Sequence, residues 1–316
     1  MKLQTQIPLL KETRNLIDYN SKIVLLGSCF SENIGNQLDY FKFQSTQNPF
    51  GILFHPIAIE NLITNAINEK KYTENDIVFH NEQYHSFDAH SSLSNNNKTA
   101  FLDYINSSIK NTKNNLEEAS HIIITLGTSW VYRYIESDQI VANCHKIPQK
   151  KFLKEILSVD TVSESLEAII SLIKSINNNT SILFTVSPVR HLKDGFIENL
   201  QSKSHLISAI HQVINRRKNS FYFPSYEIMM DELRDYRFYA EDMIHPNKTA
   251  IKYIWEKFIY TWFDASVNAT MKEIDVIQKG MLHKPFNPNS EKHLQFLENL
   301  EQKKLKIMRE YSFMSF

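Results

Sequence analysis

Gly27-Ser28-Cys29 places two nucleophile-bearing residues directly behind a glycine, and Asp242-Met243-Ile244-His245-Pro246 places a carboxylate three residues before an imidazole. A nucleophile on a sharp strand-to-helix turn is exposed, and the N-terminus of the helix that follows favours developing negative charge. A thiol at such a turn is drawn toward its reactive range, whereas a serine hydroxyl needs a histidine base. Ser28 and Cys29 both qualify, and the tripeptide is equally compatible with a Cys29 that is only a small buried residue. The Asp-x-x-His spacing lets Asp242 fix the ring of His245, which a general base requires; the competing reading makes Asp242 the cap of a helix that begins after Pro246. Together the two segments point to acyl transfer through a covalent intermediate.

Other segments carry chemistry less specifically. Arg190-His191 follows an apolar run, where a guanidinium can grip a carboxylate or phosphate bidentately; the plainer alternative pairs Arg190 with Glu227 or Asp194. Asn143-Cys144-His145 and Phe87-Asp88-Ala89-His90 each bring a histidine out of a polar stretch. A metal-dependent hydrolase would need His245, Asp242, His145, Cys144 and His90 to converge, with no tight ligand spacing to announce it.

These residues need elements to position them. Lys22–Leu26, His121–Leu126 and Ser181–Val186 are short apolar runs that stop at Gly27, Gly127 and Ser187-Pro188, the pattern of strands buried on both faces. Helix-like periodicity follows at about Pro56–Glu69, Thr99–Ala119, Thr161–Ile176, Asn199–Arg217 and Asn247–Phe263. The alternation predicts a doubly wound α/β sheet with helices on both faces, and hence a site outside the carboxyl ends of the strands. Residues 70–97 are polar and Asn-rich and read as an insertion. Residues 1–264 are expected to form the main domain and 265–316 a C-terminal extension that ends in a charged helix over Glu291–Arg309.

The 316 residues contain 35 Lys+Arg and 35 Asp+Glu, so no electrostatic footprint for nucleic acid or an anionic membrane is present. Two cysteines are too few for a disulfide framework and suit a reducing compartment. The N-terminal residues lack the apolar core of a leader, and no stretch is apolar enough to span a bilayer, so a cytoplasmic location is expected. The balance predicts a small-molecule or neutral substrate, with no cofactor called for; oligomeric state is left open.

Gly27-Ser28-Cys29-Phe30-Ser31 resembles the motif after which the GSCFA family is named, and its context resembles the first conserved block of SGNH (GDSL-type) hydrolases. Asp242-Met243-Ile244-His245-Pro246 is similar to their last block. Asn48-Pro49-Phe50-Gly51, Leu126–Trp130, Asn143–Lys146, Ser187–His191 and Phe223–Glu227 are further GSCFA-like stretches, so the resemblance spans about Leu26 to Pro246. It implies a three-layer α/β/α fold of flavodoxin-like type and an ester hydrolase or acyltransferase, with an O-acetylated carbohydrate as a fitting substrate. His245 would be the base, Asp242 its orienter, and Gly51 a backbone donor to an oxyanion hole. A gapless match to Gly-Asp-Ser puts Cys29 rather than Ser28 at the nucleophile position. Ser129 stands where the superfamily has an oxyanion-binding Asn, with Asn143 as the candidate substitute and His145, Arg190 and His191 as substrate-binding candidates. The altered blocks also allow a binding module that has kept the fold and lost the chemistry.

Overall fold

The computed structural model describes residues 5–316; Met1–Gln4, part of the N-terminal segment examined above for a leader, lie outside the described residues. Five parallel strands form the central sheet: β1 (Lys22–Gly27), β2 (Gln44–Gln47), β5 (His121–Leu126), β9 (Ser181–Val186) and β10 (Ser220–Phe223), in the order β2-β1-β5-β9-β10. Burial explains the order. β5 and β9 are buried at every position and take the centre, whereas Gln44-Ser45-Thr46-Gln47 is half-buried throughout and takes an edge. In chain order the sheet reads 2-1-3-4-5, so winding reverses between β1 and β5 and opens a crevice at their carboxyl ends.

Period-two alternation divides the core into two layers. Val24, Leu26, Ile122, Ile124 and Phe184 face one side, where α2 (Pro56–Ile67), α3 (Lys98–Glu118), α4 (Val159–Ile176) and α5 (Phe196–Ile214) pack. Ile23, Leu25, Ile123 and Leu183 face the other, under α1 (Cys29–Tyr40) and α7 (Lys248–Trp262). Each fully buried side chain of this kind contributes roughly 1.5–3 kcal/mol, so the two layers together hold the sheet rigid beneath the crevice. The three-layer α/β/α architecture expected from the sequence is what the chain adopts.

Several elements were not anticipated. The polar insertion carries a hairpin of β3 (Val78–His80) and β4 (Gln83–His85), and β6 (Trp130–Tyr134), β7 (Gln139–Val141) and β8 (Phe152–Ile156) form a small antiparallel sheet. β8 buries only Phe152 fully, so it offers almost no apolar alternation to read. A short α6 (Ser225–Glu227) precedes a π-helical turn. Beyond α7, α8 (Val267–Met281) joins the foreseen C-terminal helix, α9 (Glu291–Glu310). Ile274, Ile277, Leu300 and Ile307 complete the second core layer. Among the described residues no helix is long and apolar enough to cross a membrane.

Candidate active site

The crevice is built on close backbone approach. Gly27 has φ +134°, and a Cβ there would lie 2.1 Å from the Thr125 carbonyl oxygen on β5. That approach lets Ser28 N–H donate to Thr125 O (3.0 Å) and launches α1 directly from the strand. Ser28 is fully buried and caps the helix, its Oγ accepting from Phe30 N–H. Cys29, the first residue of α1, is half-buried. Burial pushes its thiol up, as does Glu32; the Lys203 ammonium and the N–H groups of Cys29 and Phe30 pull in the opposite direction. The turn therefore spends Ser28 on the helix cap and leaves Cys29 as the half-buried nucleophile candidate at the first position of α1.

Asn48 pins the neighbouring loop. Its Oδ1 accepts from Gly27 N–H at 2.9 Å, while its Nδ2 is buried with no hydrogen-bond partner. Gly51, at φ +70°, donates its N–H to Asn48 O at 2.7 Å, so that donor is engaged within the turn. A Cβ on Gly51 would stand 2.5 Å from Cβ of His90, which places the insertion against this loop. Burial lowers the basicity of His90, and Glu32 partly restores it. His90 Nδ1 is occupied with Ser92.

Asp242 and His245 form a finished pair. Nδ1 of His245 lies 2.6 Å from Asp242 Oδ2, and Oδ1 accepts from the N–H groups of Ile244 and His245. A carboxylate can only accept, so Nδ1 carries a proton, and in the neutral ring the lone pair is on Nε2. The backbone and ring N–H donors of His245, with Ile244 N–H, hold the Asp242 carboxyl down at about 2. Met243 adopts the left-handed region, φ +57°, a conformation costly for a residue with a Cβ and the means by which the turn folds back on Asp242. Asp242 is not a helix cap: Asn247 caps α7, accepting from Thr249 and Ala250 N–H. Arg190 N–H donates to Ile244 O (3.2 Å), tying the histidine turn to the exit of β9.

A group that sequence reading passed over lies behind this arrangement. Lys203 of α5 is 1% exposed, and its Nζ donates to Gly127 O (2.6 Å) and Ser187 O (2.8 Å), the carbonyls just past the ends of β5 and β9. Burial brings its ammonium down to about 7, with Cys29 opposing and Arg190 adding to the fall. Arg190 pairs with neither proposed carboxylate: Asp194 binds Lys154 and Glu227 takes the Tyr222 hydroxyl. Its Nε is buried without a partner, as is Nε2 of His191. Burial, then Lys203 and His245, drive the His191 imidazole down to about 3, so its ring is neutral. The signal for Lys203 was a lysine on the apolar side of a helix, in register with buried Leu206 and Ile210.

Comparison with known families falls on the same residues. The family model described as the GSCFA family matches residues 22–258, three quarters of the chain. The chain belongs to the GSCFA family. A second model, the C-terminal domain of GSCFA domain proteins, matches residues 274–316, which take in the second half of α8 and all of α9. No curated protein matches the chain significantly.

In this GSCFA chain the remaining sequence candidates lie off the crevice or serve its frame. Ser129 is fully buried, its N–H donating to Ser202 Oγ (2.7 Å) and its Oγ to Ser202 O, so it clamps α5 to β5. Asn143 closes a turn by accepting from His145 N–H. His145 stacks on His85 with ring centroids 4.5 Å apart, bonds Ser86 O through Nε2, and is lowered to about 4, chiefly by burial. Burial pushes the Cys144 thiol up to about 11. No three His, Cys, Asp or Glu side chains gather as metal ligands among the described residues.

Lys203 gives the family fold a signature in stability. Its pKa is below that of an unfolded lysine, so between about pH 7 and 10 the unfolded chain binds the extra proton and stability rises with pH. Below pH 7 both states are charged and the burial penalty is present in full. Urea unfolding of the wild type against Lys203→Met should therefore show a difference that grows with pH in favour of the wild type, by up to about 1.4 kcal/mol per unit between pH 7 and 9.

Proposed function

We propose that the chain is an ester hydrolase or acyltransferase of the SGNH (GDSL-type) kind, with Cys29 as nucleophile, His245 as base and Asp242 as its orienter. The observation that carries this reading is the completed Asp242–His245 pair, tethered beyond the carboxyl end of β9, on the side of the sheet where Cys29 opens α1 after β1. The sulfur adds to the ester carbonyl as His245 takes the thiol proton. The alkoxide leaves with that proton, and water or an acceptor alcohol then cleaves the thioester. The orphaned Asn48 Nδ2 and the Cys29 N–H are the fitting donors for the oxyanion, in place of Gly51, whose N–H is engaged. An O-acetylated sugar suits a chain without net charge.

Intact mass after an activated acetyl ester, and separately after iodoacetamide, tests the assignment on wild type, Ser28→Ala, Cys29→Ala, Cys144→Ala and His245→Ala. One acetyl group lost only in Cys29→Ala, and formed far more slowly in His245→Ala, is expected. Asp242→Asn should keep the fold yet lower acylation about 10²–10⁴-fold, because an amide can stabilise the wrong tautomer. A ligand-binding module is the second reading, favoured by the upward push of burial on the Cys29 thiol. Folded protein that neither acylates nor alkylates at Cys29, but is stabilised by an acetylated sugar, would establish it.

A further inference from the structure

We propose that the cleft between α2, the insertion and the β6-β7 hairpin is a subsite for a neutral oligosaccharide, the part of the substrate that does not react; this rests on the reading of the crevice as a site of ester transfer on carbohydrate. The cleft has a volume of about 690 Å³. Ile57, Asn61 and Asn65 line one wall, four residues apart and hence on one face of α2 over about 12 Å. Tyr134 and Gln139 line the opposite wall, and Ser86-Phe87-Asp88 joins the two. Hydrogen bonds tie this cleft to the crevice. Just before α2, Phe54 O accepts from Gly127 N–H (2.8 Å) at the end of β5. His90 N–H donates to Phe50 O (2.9 Å), and Leu53 N–H from the same loop donates to Gly27 O (3.0 Å). Asp88 is two residues from His90, so their Cα atoms are at most about 7 Å apart.

The groups left unused in the cleft define the ligand. Asn61 is half-buried and Gln139 exposed, and neither side-chain amide bonds another group among the described residues. A planar amide offers donors and an acceptor side by side, which matches neighbouring sugar hydroxyls, each able to donate and accept. Asp88 is held in place in advance. Its Oδ2 receives Asn65 Nδ2 (3.4 Å), Lys70 Nζ (3.1 Å) and the Tyr72 hydroxyl (3.0 Å), which leaves Oδ1 as a fixed acceptor. Phe87 and Tyr134, with ring centroids 4.8 Å apart, add aromatic surface whose electron-rich faces suit the C–H face of a pyranose. Charge selects against an anion. Lys70 lies between Asp76 (3.3 Å) and Asp88 (3.1 Å), and Arg133 is held by Glu155 (2.9 Å), so both cations of the lining are already committed.

The full chain carrying Cys29→Ala is titrated with cellotetraose, xylotetraose and mannotetraose, none acetylated, and binding is followed by saturation-transfer NMR. At least one of the three is expected to bind, and tetragalacturonate more weakly than it. Adding Asn61→Ala removes the donors and the acceptor of one amide together and should weaken the bound sugar about tenfold. Gln139→Ala should act in the same direction. Neither side chain holds a bond in the fold, so urea midpoints should stay near the parent's; Gln139→Ala, on an exposed strand, decides the matter if Asn61→Ala does not fold. Binding of none of the three, affinity indifferent to both substitutions, or tighter binding of tetragalacturonate overturns the proposal. The chemistry fails separately. Sugar binding that depends on Asn61, in a chain whose Cys29 never acylates, would overturn the catalytic reading and leave the subsite standing.

Discussion

Cys29→Ala is expected to lose acyl-enzyme formation by ~10³-fold or more, and Ser28→Ala to keep most of it. The two residues are adjacent, and the turn separates their roles. Ser28 is fully buried with its Oγ receiving Phe30 N–H, so its removal takes away a helix cap, at a cost of about 1 kcal/mol, and no nucleophile. Cys29 stands at the first turn of α1, where the helix N–H groups favour a thiolate. His245→Ala should lose nearly as much as Cys29→Ala, and the double variant little more, because a nucleophile and its base act as one unit. Burst kinetics with an activated ester give both values. Retained acylation in Cys29→Ala together with loss in Ser28→Ala would reverse the assignment.

The sequence carried the frame of this site further than its interior. Strands such as Ile122-Ile123-Ile124 are legible because burial on both faces demands continuous apolar side chains, and Gly27 and Gly127 mark where they end. The Asp242–His245 pair is legible because its partners are three residues apart. Lys203 was not, since its meaning depends on two carbonyls contributed by residues 127 and 187, which only the packing of α5 on the sheet brings together. Asn48 was passed over for the same reason: Gly51 drew the attention as a glycine in a turn, while the unpartnered donor is an amide whose oxygen is held by Gly27. The β6-β7-β8 sheet hid because half-exposed strands lack a pattern, and Ser129 resembled a site residue until Ser202 claimed both its donors.

Gly27→Ala is expected to be the most damaging single methyl group in the chain. The new Cβ would meet Thr125 O at 2.1 Å and its carbonyl carbon at 2.8 Å, and both belong to the backbone of a central strand that cannot move aside alone. The φ of +134° adds strain for any residue with a side chain. Relief requires β1 to part from β5, which would break Ser28 N–H to Thr125 O (3.0 Å) and Ser31 Oγ to Thr125 Oγ1 (2.8 Å), the bonds that fix the start of α1, and Cys29 with it, to β5. A loss of about 4 kcal/mol or more follows, a large part of the roughly 5–15 kcal/mol that holds a domain folded. Gly35→Ala is the matched control. Its Cβ would meet Oε1 of Gln47 at 1.9 Å, but that is the end of a flexible side chain, and alanine favours helix α1 by up to about 1 kcal/mol. Urea midpoints and soluble yields should place Gly35→Ala near the wild type and Gly27→Ala far below it. Similar values for the two would mean that the strand contact at Gly27 yields more easily than its neighbours allow, and that the nucleophile turn is not held by it.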